Sequence, residues 1–593
     1  MSKPLEDYGL IGDGETAALV DREGSIDWLC WPRFDSDACF AALLGNPEHG
    51  SWLIGLADDT APASAHTRRY QPNTMVMETD LVTAEGTVRL IDFMPIREDA
   101  AALVRIVHGV QGTCRLRMDL RLRFDYGMML PWIDPVDGGF VATVGPDRVV
   151  LHAPVPIRSD GHRVQAEFTV SAGQRLAFVL RHHAPSQPVP PPLDAEAALA
   201  RTQAFWRDWI GRFDDSKTRW PDAVRRSLLT LKAMIYRPTG GLVAAPTTSL
   251  PEAPGGTKNW DYRYCWLRDS TFTLGALVNA GYHEEARAWR DWLLRAIGGS
   301  PGKMRIMYRI DGSRHLDEWS VAGLPGYRHA VPVRIGNAAS TQLQIDVWGE
   351  VLDTLHLADL AGLPQSNHAD RVRRGLVEHL AAIWDQPGSG LWESRKQPRH
   401  YTYSRVMAWV GIDRFLRAHV ADAGDAMLQR LAALRSEIHQ EVCREGWNEG
   451  LGSFTQYYGG QELDASLLLL PLVGFLPAND PRVSSTIAMI GQALTEDGLV
   501  RRTPHSGDES PEGTFLACSC WMADCLNLQG KTKQAVAQYE RVLAVRNGLG
   551  LLSEEYNVPG RHLAGNFPQA LTHLAVVNTG LGLSGPILIR GGG

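Results

Sequence analysis

The sequence predicts an α+β chain of two unlike parts, an N-terminal antiparallel β-sandwich followed by an array of helices. Three observations predict it. The first third alternates apolar and polar residues in short runs, the proline-rich stretch at 185–193 ends that pattern, and from 219 onward apolar residues recur at helical spacing.

The strands come first. Val164, Ala166, Phe168 and Val170 alternate with Gln165, Glu167 and Thr169, the period of a strand with one buried face. Ser171-Ala172-Gly173 marks a turn and Leu176–Leu180 an apolar return strand, so 163–180 reads as a hairpin. Segments 74–83 and 87–94, parted by Ala84-Glu85-Gly86, read as another. Short strands broken by turn signals suggest a sandwich.

PSQPVPPPL (185–193) cannot feed a sheet ladder and stiffens a connection. It divides the chain into a sandwich at 1–190, a linker with a connecting helix at 191–215 and a helical domain at 216–593. In 221–237, Val224, Leu228, Leu231 and Ile235 share one helical face. Pro221 suits the first turn and Pro238 ends the segment. By the same pattern about twelve helices begin near 219, 268, 283, 338, 367, 402, 423, 464, 482, 514, 531 and 566, a number that can close as six inner and six outer. The long connections at 298–337 and 385–401 are places to look for a site.

Composition narrows the function. The 593 residues carry a net charge of −8 in mixed signs, which does not attract nucleic acid or an anionic membrane. Eight cysteines are too sparse for a disulfide framework. The first residues lack a basic stretch followed by an apolar run, and no apolar run reaches the roughly 18 residues that span a bilayer, so a cytoplasmic protein is expected. Cys518, Cys520 and Cys525 fit no common zinc spacing and read as small apolar residues of a buried helix. His182-His183 at a strand end reads as structural. No phosphate loop and no G-x-S-x-G elbow is present, and no metal or cofactor is expected.

Three segments carry candidate chemistry. NWDYRYCWLRDS (259–270) sets Trp260 and Trp266 beside Arg268 and Asp269. Aromatic planes with charged hydrogen-bonders suit a sugar, which has apolar C–H faces and many hydroxyls. The same residues also suit packed aromatics and a helix cap. GLWESRKQPRHYTYSRVMAW (390–409) places Glu393 after Trp392, where desolvation against an indole would favour the protonated form that a general acid requires. GLLSEEYNVPGRHLAGNFPQA (550–570) holds Glu554 and Glu555, which an extended backbone would send to opposite sides. Taken alone, both loop glutamates also fit exposed surface carboxylates.

Together with YGLIGDGETAALVDREGSIDWLCWPRFDSDACFAALLG (8–45), GYRHAVPVRIGNAASTQ and QELDASLLLLPLVGFL, these segments resemble glycoside hydrolase family 15, the glucoamylase and bacterial trehalase family, over essentially the whole chain. The resemblance implies a β-sandwich followed by an (α/α)6 barrel and an inverting mechanism at the barrel mouth. It implies Glu393 as general acid, Glu554 as general base, and Arg268 and Asp269 as holders of the glucose hydroxyls. Arg502 resembles a further sugar-binding arginine, with Arg501 as the alternative register. Trp260, Trp266, Trp392 and Tyr327 complete the candidate substrate contacts. The loop Gly326-Tyr327-Arg328-His329-Ala330-Val331 departs from the Gly-Tyr-Arg-Gly-Ser of bacterial relatives. That loop is expected on the leaving-group side, where Glu318 is another candidate contact.

Inversion requires room for a water between the base and the anomeric carbon. The expected partner is a small α-linked glucoside, with α,α-trehalose first. A glucoamylase-like or isomalto-oligosaccharide glucosidase is the near alternative. A disaccharide phosphorylase, which needs no base for water, and a non-catalytic sugar-binding protein are the distant ones. The reading is compatible with a homo-oligomer.

Overall fold

One long strand, Ala101–Arg121, belongs to two sheets at once. Its first half pairs with Gly86–Phe93 on one side and Arg175–His183 on the other. Its second half pairs with Ser51–Leu56 and Val164–Ser171. All these pairings are antiparallel. The computed structural model that shows this describes residues 2–57, 65–299, 301–364, 367–419, 425–505 and 512–586.

The 74–94 hairpin forms as the alternation predicts, with Met77–Val82 antiparallel to Gly86–Phe93. The 163–180 segment does not. The chain turns at Ala172-Gly173, but Val164–Ser171 and Arg175–His183 pair with successive halves of Ala101–Arg121 and not with each other. The crossing needs Gly109 and Gly112. A Cβ at Gly109 would stand 2.2 Å from the Ser171 carbonyl oxygen, and Gly112 has φ +65° with the Glu85 oxygen 2.0 Å from its Cβ position. Two residues without side chains thus let the turn at 172–174 lie across the long strand, with Ala172 N–H donating to Gly112 O and Gly173 N–H to Gly109 O.

The connecting helix α1 (Ala195–Ile210) is capped by Asp194, whose carboxylate accepts from the Glu196 and Ala197 N–H groups. It packs Ala195, Ala198 and Leu199 onto Val76, Ile91, Phe93, Val104, Ile106 and Val179 of one sheet, forming a small core of its own.

The helices that follow are α2 (Pro221–Met234), α3 (Ser270–Ala280), α4 (His283–Ile297), α5 (Asp346–Leu360), α6 (Asn367–Ile383), α7 (Thr402–Ala418), α8 (Ala426–Glu445), the short α9 (Leu469–Leu472, led by a 3-10 turn at Ala465–Leu468), α10 (Pro481–Ala493), α11 (Leu516–Leu528), α12 (Thr532–Leu543) and α13 (Ala570–Gly582). Most begin within a few residues of their expected starts. The start expected near 423 lies outside the described residues. Near 338 there is only a 3-10 turn, Ala338–Thr341, and α5 begins at Asp346. Helix α2 ends at Met234, ahead of Pro238, because Ile235 leaves helical geometry and bridges to Leu242.

Two kinds of helix alternate. α3, α5, α7, α11 and α13 are buried along nearly their whole length, whereas α2, α4, α6, α8, α10 and α12 carry polar outer faces. The buried set packs in a cycle: α3 on α5, α5 on α7, α7 on α9 and its 3-10 turn, these on α11, α11 on α13, and α13 on α3. The amphipathic helices pack outside it, α4 on α3, α8 on α7 and α12 on α11.

The N-terminal antiparallel strands and their loops grip the segment that enters α3. Trp28 Nε1 donates to Pro246 O at 2.7 Å, and the fully buried Arg263 donates to Ser36 O (2.7 Å) and Tyr126 Oη (2.8 Å) while pairing with Asp261.

Candidate active site

The chain entering α3 bridges at Asp261, forms a short strand at Cys265–Trp266 and turns at 268–269, and its side chains divide between two sides. Asp261 and Arg263 are buried as a pair, Arg263 reaching Ser36 and Tyr126 of the N-terminal part. Tyr262, Trp266 and Arg268 reach instead toward the two glutamates. Trp266 Nε1 donates to Glu393 Oε1 at 2.5 Å, and Tyr262 Oη donates to Glu554 Oε1 at 2.6 Å. The two rings meet edge to face, with centroids 5.1 Å apart. One aromatic pair therefore holds two carboxylates that lie 161 positions apart in sequence.

Glu393 sits in a turn before α7 with a left-handed backbone, φ +57°. Its side chain is 18% exposed and also takes Arg268 Nη1 at 3.3 Å. Burial raises its pKa; Arg268 and the Trp266 indole oppose this without cancelling it. The upward direction agrees with the expectation for Glu393, but a different indole lies beside it. Trp392 turns away and gives its Nε1–H to Asp464 at 2.9 Å. The indole at Glu393 is that of Trp266, acting as a donor that favours the charged form.

Glu554 is 2% exposed. Oε1 takes the Tyr262 hydroxyl, while Oε2 is buried with no hydrogen-bond partner among the described residues. Gly565 lies beside it at φ +74°, and a Cβ there would stand 2.6 Å from Oε2. Burial raises the Glu554 pKa, and Arg502, the Tyr262 hydrogen bond and Arg268 hold it back. Its backbone N–H donates to Asn566 O, and the Asn566 amide donates in turn to Trp260 O at 2.9 Å. Glu555 opens a short strand and points elsewhere, accepting from Gly513 N–H at 2.9 Å.

The remaining candidates divide. Asp269 occupies the N-cap position of α3, yet its carboxylate makes no cap bond and instead accepts from Arg268 Nε at 2.8 Å. Arg268 thus joins Asp269 to Glu393. Trp260 lies beneath two guanidinium groups, Arg334 and Arg395, at 4.4 and 4.0 Å from its ring centroid, and both pair with Glu318. Arg502 inserts among Glu252, Glu512 and Glu555 and lies over the Trp392 ring. Arg501 turns outward to Glu496 and His505. Tyr327 is buried, its hydroxyl donating to Lys3 O at 2.9 Å.

The carboxylates around Arg502 bring oxygens within 4.8 Å of one another, a spacing that suits a cation. The chain supplies that charge itself through Arg502 and through Lys258, which pairs with Glu512. Glu252 is pushed up to about 8 by burial against the pull of Arg502; Glu512, despite burial, is held down to about 2 by Arg502 and Lys258. Cys518, Cys520 and Cys525 lie buried in α11.

Four residues of this site are not picked out by the sequence: Tyr262, Gly565, Glu252 and Glu512. Tyr262 stands inside the 259–270 segment, and its place among the aromatics there is the signal that could have found it. Nothing in sequence links Glu252 or Glu512 to Arg502.

Comparison with known proteins places these observations in context. Residues 219–581 match the family model of the glycosyl hydrolases family 15, and residues 1–206 match that of a trehalase-like N-terminal domain. A trehalase of Mycolicibacterium smegmatis is 36% identical, over 97% of this chain and 90% of its own. A trehalase of Thermoplasma volcanium is 34% identical, over 99% and 94%. The solved structure of a bacterial glucoamylase complexed with acarbose superposes with a TM-score of 0.75 at 11% identity, covering 97% of this chain and 93% of its own. At that identity the likeness speaks for the fold alone. No described helix is long and apolar enough to cross a membrane.

Proposed function

Because the chain belongs to the glycosyl hydrolases of family 15, we propose that it hydrolyses α,α-trehalose to glucose with inversion, Glu393 serving as general acid and Glu554 as general base. The observation that carries the assignment is the Tyr262–Trp266 pair, which holds one carboxylate on each of its polar atoms. The trehalases of similar sequence support the substrate. The seat of the reaction is the mouth of an (α/α)6 barrel, a reading supported by the cycle of buried helices with amphipathic ones outside it. Residues 1–190 form the sandwich domain, 191–215 the connection and 216–593 the catalytic domain. The sparse cysteines, eight in 593 residues and seven of them buried, support a cytoplasmic setting.

The groups divide the chemistry by their surroundings. Glu393, raised by burial and still partly exposed, keeps a proton for the glycosidic oxygen. Glu554 has one oxygen fixed by Tyr262. The other, beside Gly565, takes a proton from the water that attacks the opposite face of the sugar. Arg268 and Asp269, locked to each other, orient the sugar hydroxyls, so that binding becomes alignment. Arg502 acts at one remove, as the cation that restrains the carboxylates behind Glu554.

Inversion of trehalose has a distinctive product pattern. The attacked ring leaves as β-glucose and the other as α-glucose, in equal amounts. NMR of fresh product from trehalose, maltose, isomaltose and soluble starch therefore reads linkage and stereochemistry together. Absence of trehalose turnover would refute the substrate, and release of α-glucose alone would refute inversion. Glucose phosphate formed on adding phosphate would instead favour a phosphorylase. Glu554→Gln should lower kcat about 10²–10⁴-fold while sugar binding persists.

A further inference from the structure

The general acid sits on a backbone that its residue type disfavours. A glutamate at φ +57° brings its Cβ against its own carbonyl, and such a conformation persists only where surrounding contacts over-determine it. The turn has some support of its own: Glu393 N–H donates to Gly390 O at 3.1 Å and Ser394 N–H to Ser389 O at 3.0 Å. These bonds close the loop on its N–H side and leave the carbonyls of Glu393 and Ser394 to be held from elsewhere.

One side chain does this. Gln342 Nε2 donates to Glu393 O and to Ser394 O, each at 3.2 Å. Its other end is fixed as well, since Gln342 Oε1 accepts from Nε2 of Gln344 at 3.0 Å, and Gln344 is 1% exposed. That second bond decides which way the Gln342 amide faces, putting its NH₂ toward the turn. The backbone between the two glutamines runs beside the same loop, with Ser389 N–H donating to Leu343 O at 2.9 Å.

We propose that Gln342 is a positioning residue for the general acid: its amide, oriented by Gln344, clamps the left-handed turn at Glu393 so that the carboxyl stays on Trp266 and Arg268 and in reach of the glycosidic oxygen. Without the clamp the turn relaxes toward ordinary φ and the carboxyl swings off its two donors. The inference rests on the general-acid role proposed for Glu393.

The test uses a substrate that needs no acid. The glucose that leaves trehalose must take a proton on the glycosidic oxygen as it departs, whereas α-glucosyl fluoride releases a weakly basic fluoride without a proton and still needs Glu554 to activate water. In the full-length protein, Gln342→Leu should lower kcat on trehalose about 10–100-fold, the scale of a misplacement near 1 Å, with KM changed less than about twofold. Turnover of the fluoride should stay within about threefold of the parent. Gln342→Glu, equal in size but unable to donate when ionised, should show the same split more strongly, and Gln344→Leu a weaker one. Equal losses on both substrates, or no loss on trehalose, would overturn the proposal. Glu393→Gln is the reference. If that variant fails to separate the two substrates, the general-acid reading falls and the clamp with it. If it separates them and the Gln342 variants do not, the clamp alone is wrong.

Discussion

Tyr262 gives its hydroxyl to Glu554 at 2.6 Å, so one oxygen of the proposed base is tied to the aromatic pair that also holds the proposed acid. This bond favours the ionised carboxylate, against burial that disfavours it. Tyr262→Phe removes it and leaves the ring packing in place. The Glu554 pKa should then rise further. Because the base works ionised, the acid limb of the kcat/KM profile should move to higher pH, with kcat about 10–100-fold lower at the optimum. A limb that moves to lower pH would exclude this role for the tyrosine.

Trp266 makes the opposite test on the other carboxyl. Its indole favours ionised Glu393, so Trp266→Phe should raise the Glu393 pKa. The acid works protonated, and its loss of a proton sets the alkaline limb. That limb should therefore shift upward while the acid limb stays in place. A shift confined to the acid limb would mean that the two glutamates had been given each other's roles.

Gly565 is where space decides. Its φ is left-handed, and a Cβ on it would stand 2.6 Å from Glu554 Oε2, which leaves no volume for a methyl group. Gly565→Ala should displace the carboxylate and lower kcat about 10²-fold or more, with KM changed much less. Parental kcat in a folded Gly565→Ala protein would show that Oε2 is not the oxygen that meets water.

The glutamates, Arg268 and the helix starts are legible because each stands in a local pattern: a motif, a cap or a 3.6-residue period. Partnership is not. The alternation of 163–180 marks two strands correctly but not their neighbour, since the period of a strand says which face is buried and nothing about which backbone lies alongside. Adjacency pairs Trp392 with Glu393, whereas the turn at φ +57° sends the two side chains apart and brings in Trp266 from 127 positions upstream. Tyr327 illustrates the same gap. Its motif suggests the pocket, but its hydroxyl is bound to the N-terminal segment at Lys3.

Arg502 joins stability to pH. It is nearly buried, at 12% side-chain exposure, and faces Glu252, Glu512 and Glu555. Arg502→Leu keeps apolar volume but removes the guanidinium that three carboxylates share, leaving Lys258 on Glu512. Removing one partner of a buried ion pair costs about 3–5 kcal/mol. The three carboxylates can escape by binding protons, so their folded pKa values should rise above those of the unfolded chain. The folded state then holds more protons, and stability is lost as pH rises from the unfolded carboxylate range through the raised folded values. Glu512, held down to about 2 in the parent, opens this difference, whereas Glu252, already near 8, adds to it only above that pH. The fall in melting temperature relative to the parent should thus be larger at pH 8 than at pH 5.5, as read by scanning fluorimetry. A deficit that is equal at both values, or larger at pH 5.5, would show that the arginine acts mainly by packing on Trp392 and Phe515.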